Sequence, residues 1–268
     1  MRANVRRALA AMALLTLFGC ARAPRPGIPI ESARLEEIAA AVAARAENGP
    51  LRATGTGELA VGDDRQAFSF ALVYDPPAWL RMDARPLLGS MSPPWSVSAL
   101  LDGDLLTAHF PNRDAWVADR LRKAVPGIER VDTARFLVGR PDAGVLMRLS
   151  HARVVRAGTD LVISGDVYGR EVTVAVDTTS SVIRRIEVLD GRSAHVTVRY
   201  GVATVDATGR VPGAVDVRYE NGTTLVELGI DYDMVRPVDV VVRDAHALAV
   251  PAGALTLRWE DIGLGRTP

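Results

Sequence analysis

Between Arg65 and Tyr74 the chain alternates without a break. Phe68, Phe70, Leu72 and Tyr74 fall on one side of a strand, and Ala67, Ser69, Ala71 and Val73 on the other. Successive strand side chains point to opposite faces, so this stretch has one bulky face and one small one. A sheet built from it either curls around the bulky face or lays the small face against a helix. The flanks extend the pattern. Leu51–Val61 precedes it across a Gly62-Asp63-Asp64 turn and is interrupted by Gly55 and Gly57. Glycines inside a strand mark sharp curvature or a close approach of another group. Asp75-Pro76-Pro77 ends the strand. Trp79–Ala84 then sets Leu80, Met82 and Ala84 against Arg81 and Asp83. Trp95–Leu101 and Leu105–Phe110 form a hairpin across Asp102-Gly103-Asp104.

The loop inside this region, Arg85–Pro94, is unusual in carrying Leu87, Leu88 and Met91 among Gly and Pro, with Trp95 at its end. Connecting segments are normally polar. Two readings stand: these groups fold back onto the core, or they meet lipid, an acyl chain or another protein.

The rest of the chain is punctuated by turns. Leu161–Tyr168 turns at Gly169-Arg170 into Glu171–Asp177, and Ser181–Leu189 turns at Asp190-Gly191 into Ala194–Tyr200. Val215–Glu220 turns at Asn221-Gly222 into Thr223–Tyr232, a two-residue type I′ hairpin. Gly144–Ala152, Val238–Val242 and Ala254–Glu260 read as further strands, giving about eleven or twelve in short-turn succession, an antiparallel meander. Three helices are expected. Ser32–Glu47 starts on a Ser32 N-cap and places Leu35, Ile38 and Val42 at helical spacing, so it covers a sheet. Pro111–Val125 has a Val117, Leu121, Val125 seam, and Asp132–Val138 is short. Trp116 and Phe136 read as core anchors.

The N-terminus bears on location. Arg2, Arg6 and Arg7 precede an apolar run, Ala8–Phe18, broken only by Thr16, and then Gly19-Cys20. A charged start, a short apolar core and small residues at the cut describe a secretory signal, too short to serve as a permanent membrane helix. The cysteine that follows resembles the lipobox of bacterial lipoproteins. That resemblance implies cleavage before Cys20, lipidation of its sulfur and attachment to the membrane by two or three acyl chains, palmitate among them. Ala21, in place of aspartate, implies the outer membrane, with the protein facing the periplasm. The expected organisation is a signal peptide over 1–19, lipidated Cys20 with a Pro-rich tether over 20–30, and one domain over 31–268.

Cys20 is the sole cysteine, so the mature chain has no internal disulfide and no thiolate metal site. Basic and acidic residues balance at 32 each, which gives no footprint for nucleic acid. His109, His151, His195 and His246 form no H-x-x-x-H or H-x-H motif, and no G-x-S-x-G, S-x-x-K, P-loop or G-x-G-x-x-G stretch is present. Asp102 and Asp104 flank a turn glycine, and Asp231 and Asp233 alternate on a strand. Acids so placed rarely do catalytic work. The residues therefore point to no catalytic site, metal or cofactor.

Two local stretches carry a wider resemblance. Leu80–Gly89 (LRMDARPLLG) resembles the strand entering the projecting loop of LolB-like proteins, and Phe136–Pro141 (FLVGRP) resembles the short helix and Gly-x-Pro corner before the second half of the sheet. With the lipobox, the covering helix and the two runs of hairpins, the chain resembles the LolA/LolB-like lipoprotein-localisation superfamily over about Glu31–Glu260. The resemblance implies a mainly β chain with α (α+β). Its curled antiparallel sheet forms a half-open barrel, covered by the N-terminal helix and two short mid-chain helices. Members bind acyl chains of lipoproteins or other apolar ligands on the concave face. An apolar residue on the projecting loop helps insertion, and Leu87, Leu88, Met91 and Trp95 fall in the matching loop. Phe68, Phe70, Leu72, Met82 and Val97 form one candidate apolar concavity. Some members serve as sensors or envelope-assembly partners, so a protein docked on the 85–95 loop is the other expectation.

Overall fold

In the computed structural model the described residues are 27–45, 49–87, 96–120, 133–190, 194–201, 211–222 and 224–257. The signal peptide, Cys20, most of the tether, and Leu88, Met91 and Trp95 lie outside them. Among the described residues no helix is long and apolar enough to cross a membrane.

The bulky-face strand is found where the alternation places it. β1 (Ile28–Pro29), α1 (Ser32–Arg45), β2 (Leu51–Val61), β3 (Asp64–Asp75), β4 (Trp79–Pro86), β5 (Val97–Asp102) and β6 (Leu105–Phe110) follow in order, then β7 (Ala115–Arg120), α2 (Thr133–Leu137) and α3 (Gly144–Met147). The second half comprises β8 (Ser150–Ala157), β9 (Asp160–Val167), β10 (Arg170–Asp177), β11 (Val182–Asp190), β12 (Ala194–Tyr200), β13 (Ala214–Asn221), β14 (Thr224–Pro237) and β15 (Leu255–Leu257). All strands join one 15-stranded sheet, ordered β1-β8-β9-β10-β11-β12-β13-β14-β2-β3-β4-β5-β6-β7-β15. The sheet is curled and does not close into a barrel. The two halves meet at β14 and β2, which join the end of the chain to its beginning.

That seam is tightly packed, and glycines make room for it. Gly55 and Gly57 stand opposite Phe70 and Phe68 on the inner face. A Cβ at Gly55 would run into the Asp231 carbonyl oxygen and meet Phe70 Cζ at 2.9 Å; one at Gly57 would meet Phe68 Cζ at 2.5 Å. The bare backbone lets the two rings lie across β2 while β14 presses in from the other side. A register shift between Tyr232 and Met234 bends β14 at the same place.

α1 turns Leu35, Ile38, Ala39 and Val42 inward, all buried, one turn or less apart. It lies against α3 and β11. Its cap differs from the expectation: Ser32 is already helical, and the Glu31 carbonyl accepts from Arg34 and Leu35, each at 3.1 Å. The tether is also shorter than expected. Ile28 and Pro29 pair with Val154 and Arg153 of β8, and Ile30 N–H donates to Ala152 O at 3.1 Å.

Four expectations are corrected. Pro111–Val125 does not begin as a helix: a 3₁₀ turn at Pro111–Arg113 leads into β7, whose Ala115 and Val117 face inward while Trp116 faces outward and stacks on His109 at 4.2 Å. The edge of β6 needs a hydrogen-bonding partner, and this alternation supplies it. Leu121–Val125 lie outside the described residues. Gly144–Met147 is a helical turn rather than strand, because the Asp142 carboxylate accepts from Gly144 N–H at 2.9 Å and from Arg148 at 3.2 Å. Val238–Val242 is not a strand, since Pro237 ends β14 and the chain leaves the sheet edge. It crosses instead to the outer side of β4. There Arg243 Nε meets Asp75 Oδ2 at 2.6 Å and its guanidinium sits 5.8 Å above the Trp79 ring, with His246 also against that ring. The last strand is the three-residue β15, and it runs parallel to β7, an exception to the antiparallel meander.

This strap gives a local prediction. Arg243→Ala is expected to cost about 1 kcal/mol, from one partly exposed ion pair and one cation–π contact. It should speed amide exchange selectively in residues 238–257. Unchanged exchange there would show that the strap is held by other contacts.

A second prediction concerns pH. Arg184 pairs with Asp177 at 3.0 Å, with their side chains 19% and 15% exposed, and the backbone N–H groups of Thr179 and Ser180 also donate to this carboxylate. Burial would raise its pKa. The Arg184 hydrogen bond, the two N–H groups and the Arg184 charge outweigh that and hold it at about 2 against an ordinary 3.8. The folded state thus binds this proton less readily than the unfolded chain. The stabilisation is complete above the unfolded value and fades as pH falls toward 2. Asp177→Asn should cost about 1–2 kcal/mol at pH 7, discounted for partial exposure, and about half as much at pH 3, by urea unfolding.

Candidate ligand-binding face of the open sheet

Antiparallel partners directly opposite one another share a face, so the inner surface is traced by register alone. It runs from Val154 on β8 through Ile163, Val174, Ile186, Val198, Val217 and Leu228 to Leu59 on β2. On the far side of the seam it continues from Ala53 through Leu72, Met82, Ala99 and Ala108 to Val117 on β7. From Val154 to Met82 this apolar track belongs to one contiguous core, which Leu101 and Leu106 carry on to β5 and β6. Where the track crosses β5 and β6 it is carried by Ala99 and Ala108.

The candidate residues divide by depth. Phe68, Phe70 and Leu72 are buried at the seam, where the Phe70 ring meets the Tyr232 ring edge-on at 5.7 Å. Met82 and Val97 are half-buried, on β4 and the start of β5. Leu87 is 39% exposed just beyond β4, with its N–H tied to Ala67 O at 3.1 Å, so it stands at the rim and not in the core. The five concavity residues thus share one face, three of them buried and two half-buried. A cleft of about 150 Å³ lies under α1, with Ile38 and Ala41 on the helix side, the inner-face residues Leu161 and Val176 on the sheet side, and Arg34, Glu37 and Asp177 at its polar margin.

Polar groups interrupt this face at one place that sequence reasoning missed. Tyr200 and Tyr232 both point inward. The Tyr232 hydroxyl donates to Leu137 O at the end of α2. Arg140, buried in the corner after α2, donates from Nη1 to Gly49 O at 2.7 Å. Gly139 has φ +70°, and a Cβ there would strike the Pro212 ring, so only glycine seats this corner against the sheet. Burial pushes the Tyr232 phenol up, and Arg140 opposes it; burial and then Tyr232 push Tyr200 well up. Both stay protonated, as hydrogen-bond donors. The available signal was a tyrosine ending each of two inward alternations, Val196-Val198-Tyr200 and Leu228-Ile230-Tyr232.

The convex side is different in kind. A groove of about 390 Å³ crosses β2, β12, β13 and β14, lined by Glu58, Arg65, Thr197, Arg199, Asp216, Arg218 and Glu227 among others. Glu58 pairs with Arg65 at 2.6 Å and Glu227 with Arg218 at 3.4 Å. Burial and then Asp231 raise the Asp216 carboxyl, with Arg199 opposing. His195 sits on this side and contacts Thr197 at 3.1 Å. Among the described residues no group of three or more His, Cys, Asp or Glu side chains could hold a metal ion.

An open, curled, mostly antiparallel sheet with an apolar concave face, covered by an N-terminal helix and short mid-chain helices, is the LolA/LolB-like fold. The chain is similar to an outer membrane lipoprotein-sorting protein domain from Vibrio parahaemolyticus. Their identity is 11%, over 81% of this chain and 97% of that one, with a TM-score of 0.54. It is also similar to a DUF1329 family protein from Desulfovibrio piger, at 10% identity over 80% and 96% of the two chains, with a TM-score of 0.53. At these identities the likeness is one of fold. No protein-family model matches the chain, and no curated protein matches it in sequence.

Proposed function

We propose that this protein is an envelope lipoprotein, anchored in the outer membrane through acylated Cys20, that binds an acyl chain or similar apolar ligand on the concave face. It acts in lipoprotein or lipid trafficking without covalent chemistry. The observation that carries the reading is the continuous inner face itself. Its register partners are apolar from β8 to β7, the sheet stays open, and Met82 and Val97 on this face are only half-buried. Burial of a chain is non-directional and needs few polar partners, so such a face suits a hydrocarbon ligand. The likeness to a lipoprotein-sorting domain supports the same reading.

The test is displacement of the apolar reporter N-phenyl-1-naphthylamine by palmitate, on the full chain held in a fluorinated surfactant, whose chains mix poorly with hydrocarbon. Saturable displacement is expected; none at any concentration would overturn the reading. One observation favours a second role for the rim. Leu87 is exposed at the start of the 85–95 loop while Phe68, Phe70 and Leu72 are sealed. A protein partner docked on that loop fits this division, and Leu87→Asp would then abolish partner capture without changing palmitate binding.

A further inference from the structure

Among the described residues the concave face holds a buried hydrogen-bond donor with nothing to donate to. The Tyr200 residue is 5% exposed, and its hydroxyl finds no hydrogen-bond partner among the described residues. Such a group is costly in a folded core and calls for an explanation. Its surroundings are also donors. Tyr232 lies close enough to bear on Tyr200, and Arg140 close enough to bear on Tyr232. No carboxylate contributes to either phenol's shift. The backbone oxygens of Leu137 and Gly49 are engaged by Tyr232 and Arg140. Among the described residues the Tyr200 hydroxyl lacks an acceptor. The cluster adjoins the apolar track directly, through the edge-on contact between Tyr232 and Phe70. The face is therefore apolar along its length and donor-rich at this one end.

We infer that the Tyr200 hydroxyl, beside Tyr232 and Arg140, receives the carbonyl oxygen of an acyl ligand whose chain lies along the apolar track past Phe70. The inference rests on the proposed acyl-binding function and deepens it. The ligand class is an acyl group with its oxygen retained, not a bare hydrocarbon. An ester carbonyl and a free carboxylate both present that oxygen, and both complete the hydrogen bond that Tyr200 leaves open. The cluster also ties the cover to the sheet, since Tyr232 holds the end of α2 and Arg140 holds the chain just after α1. An acyl head lodged there sits beneath both helices.

The experiment compares three sixteen-carbon displacers of the same reporter on the full chain in fluorinated surfactant: palmitate, methyl palmitate and hexadecane. In the wild type the oxygenated ligands are expected to bind about tenfold tighter than hexadecane, the worth of one hydrogen bond in a dry site. Tyr200→Phe is expected to erase that preference, leave hexadecane affinity unchanged and raise the melting temperature of the unliganded protein, because it removes a buried unsatisfied hydroxyl. A loss for palmitate alone assigns the site to a free carboxylate; an equal loss for methyl palmitate assigns it to the ester carbonyl shared with lipids and acylated proteins. Persistence of the preference in Tyr200→Phe, equal weakening of all three displacers, or no preference in the wild type overturns the inference while leaving the binding reading intact. Failure of all three to displace the reporter from the wild type overturns the binding reading, and this inference with it.

Discussion

Gly55→Ala is expected to lower folding stability by about 3 kcal/mol, read as a shift in the urea midpoint. The added methyl has nowhere to go: the Asp231 carbonyl oxygen occupies its position from β14 and the Phe70 ring blocks it from β3. One obstacle is backbone within a hydrogen-bonded ladder, so relief requires the strands to part. Gly49→Ala is the control. A Cβ there meets nothing within 4 Å, and the change should stay within about 1 kcal/mol. A loss at Gly55 no larger than that at Gly49 would show that the seam has room for a methyl group.

Met82→Glu is expected to weaken palmitate binding at least about tenfold while the chain remains folded. Met82 is half-buried on the inner face, directly across from Leu72 on one side and Ala99 on the other. A carboxylate there would be stripped of water when a hydrocarbon chain covers it, and an unpaired buried charge is strongly unfavourable. In the free protein this position is only half-buried, so the carboxylate keeps part of its hydration and circular dichroism and melting should change little. Arg81→Glu, one residue away on the opposite face, should leave palmitate binding unaltered. Parallel losses at both positions would remove the face-specific account.

These two sites show what the sequence makes legible. The Phe68-to-Tyr74 alternation and the paired glycines on the neighbouring strand carry a period and a size difference that fit a sheet curled around the bulky face, and the structure has that sheet. Hairpins closed by Asp102-Gly103 and Asn221-Gly222 are local chemistry and fall where expected. β7 was hidden for a physical reason. Val117, Leu121 and Val125 lie at helical spacing, and the need of β6 for an edge partner is not written in residues 111–125. The strap is equally non-local, because Arg243 finds Asp75 and Trp79 far back in the chain. α3 depends on a single carboxylate, Asp142, taking a backbone N–H. The five concavity residues could be placed on one face from alternation, but which of them are buried and which half-buried depends on how tightly β2, β3 and β14 close together. The donor cluster depends on a corner, Gly139-Arg140-Pro141, brought beneath the sheet by packing against Pro212.

The most direct measurement is photo-cross-linking with a palmitate analogue bearing a diazirine midway along its chain, followed by peptide mapping on the full chain. The account predicts adducts on inner-face residues, foremost Met82, Val97 and their neighbours on β4–β6, competed away by unlabelled palmitate and absent in Met82→Glu. Adducts confined to the convex side of the sheet, or inner-face adducts that unlabelled palmitate does not reduce, would contradict it.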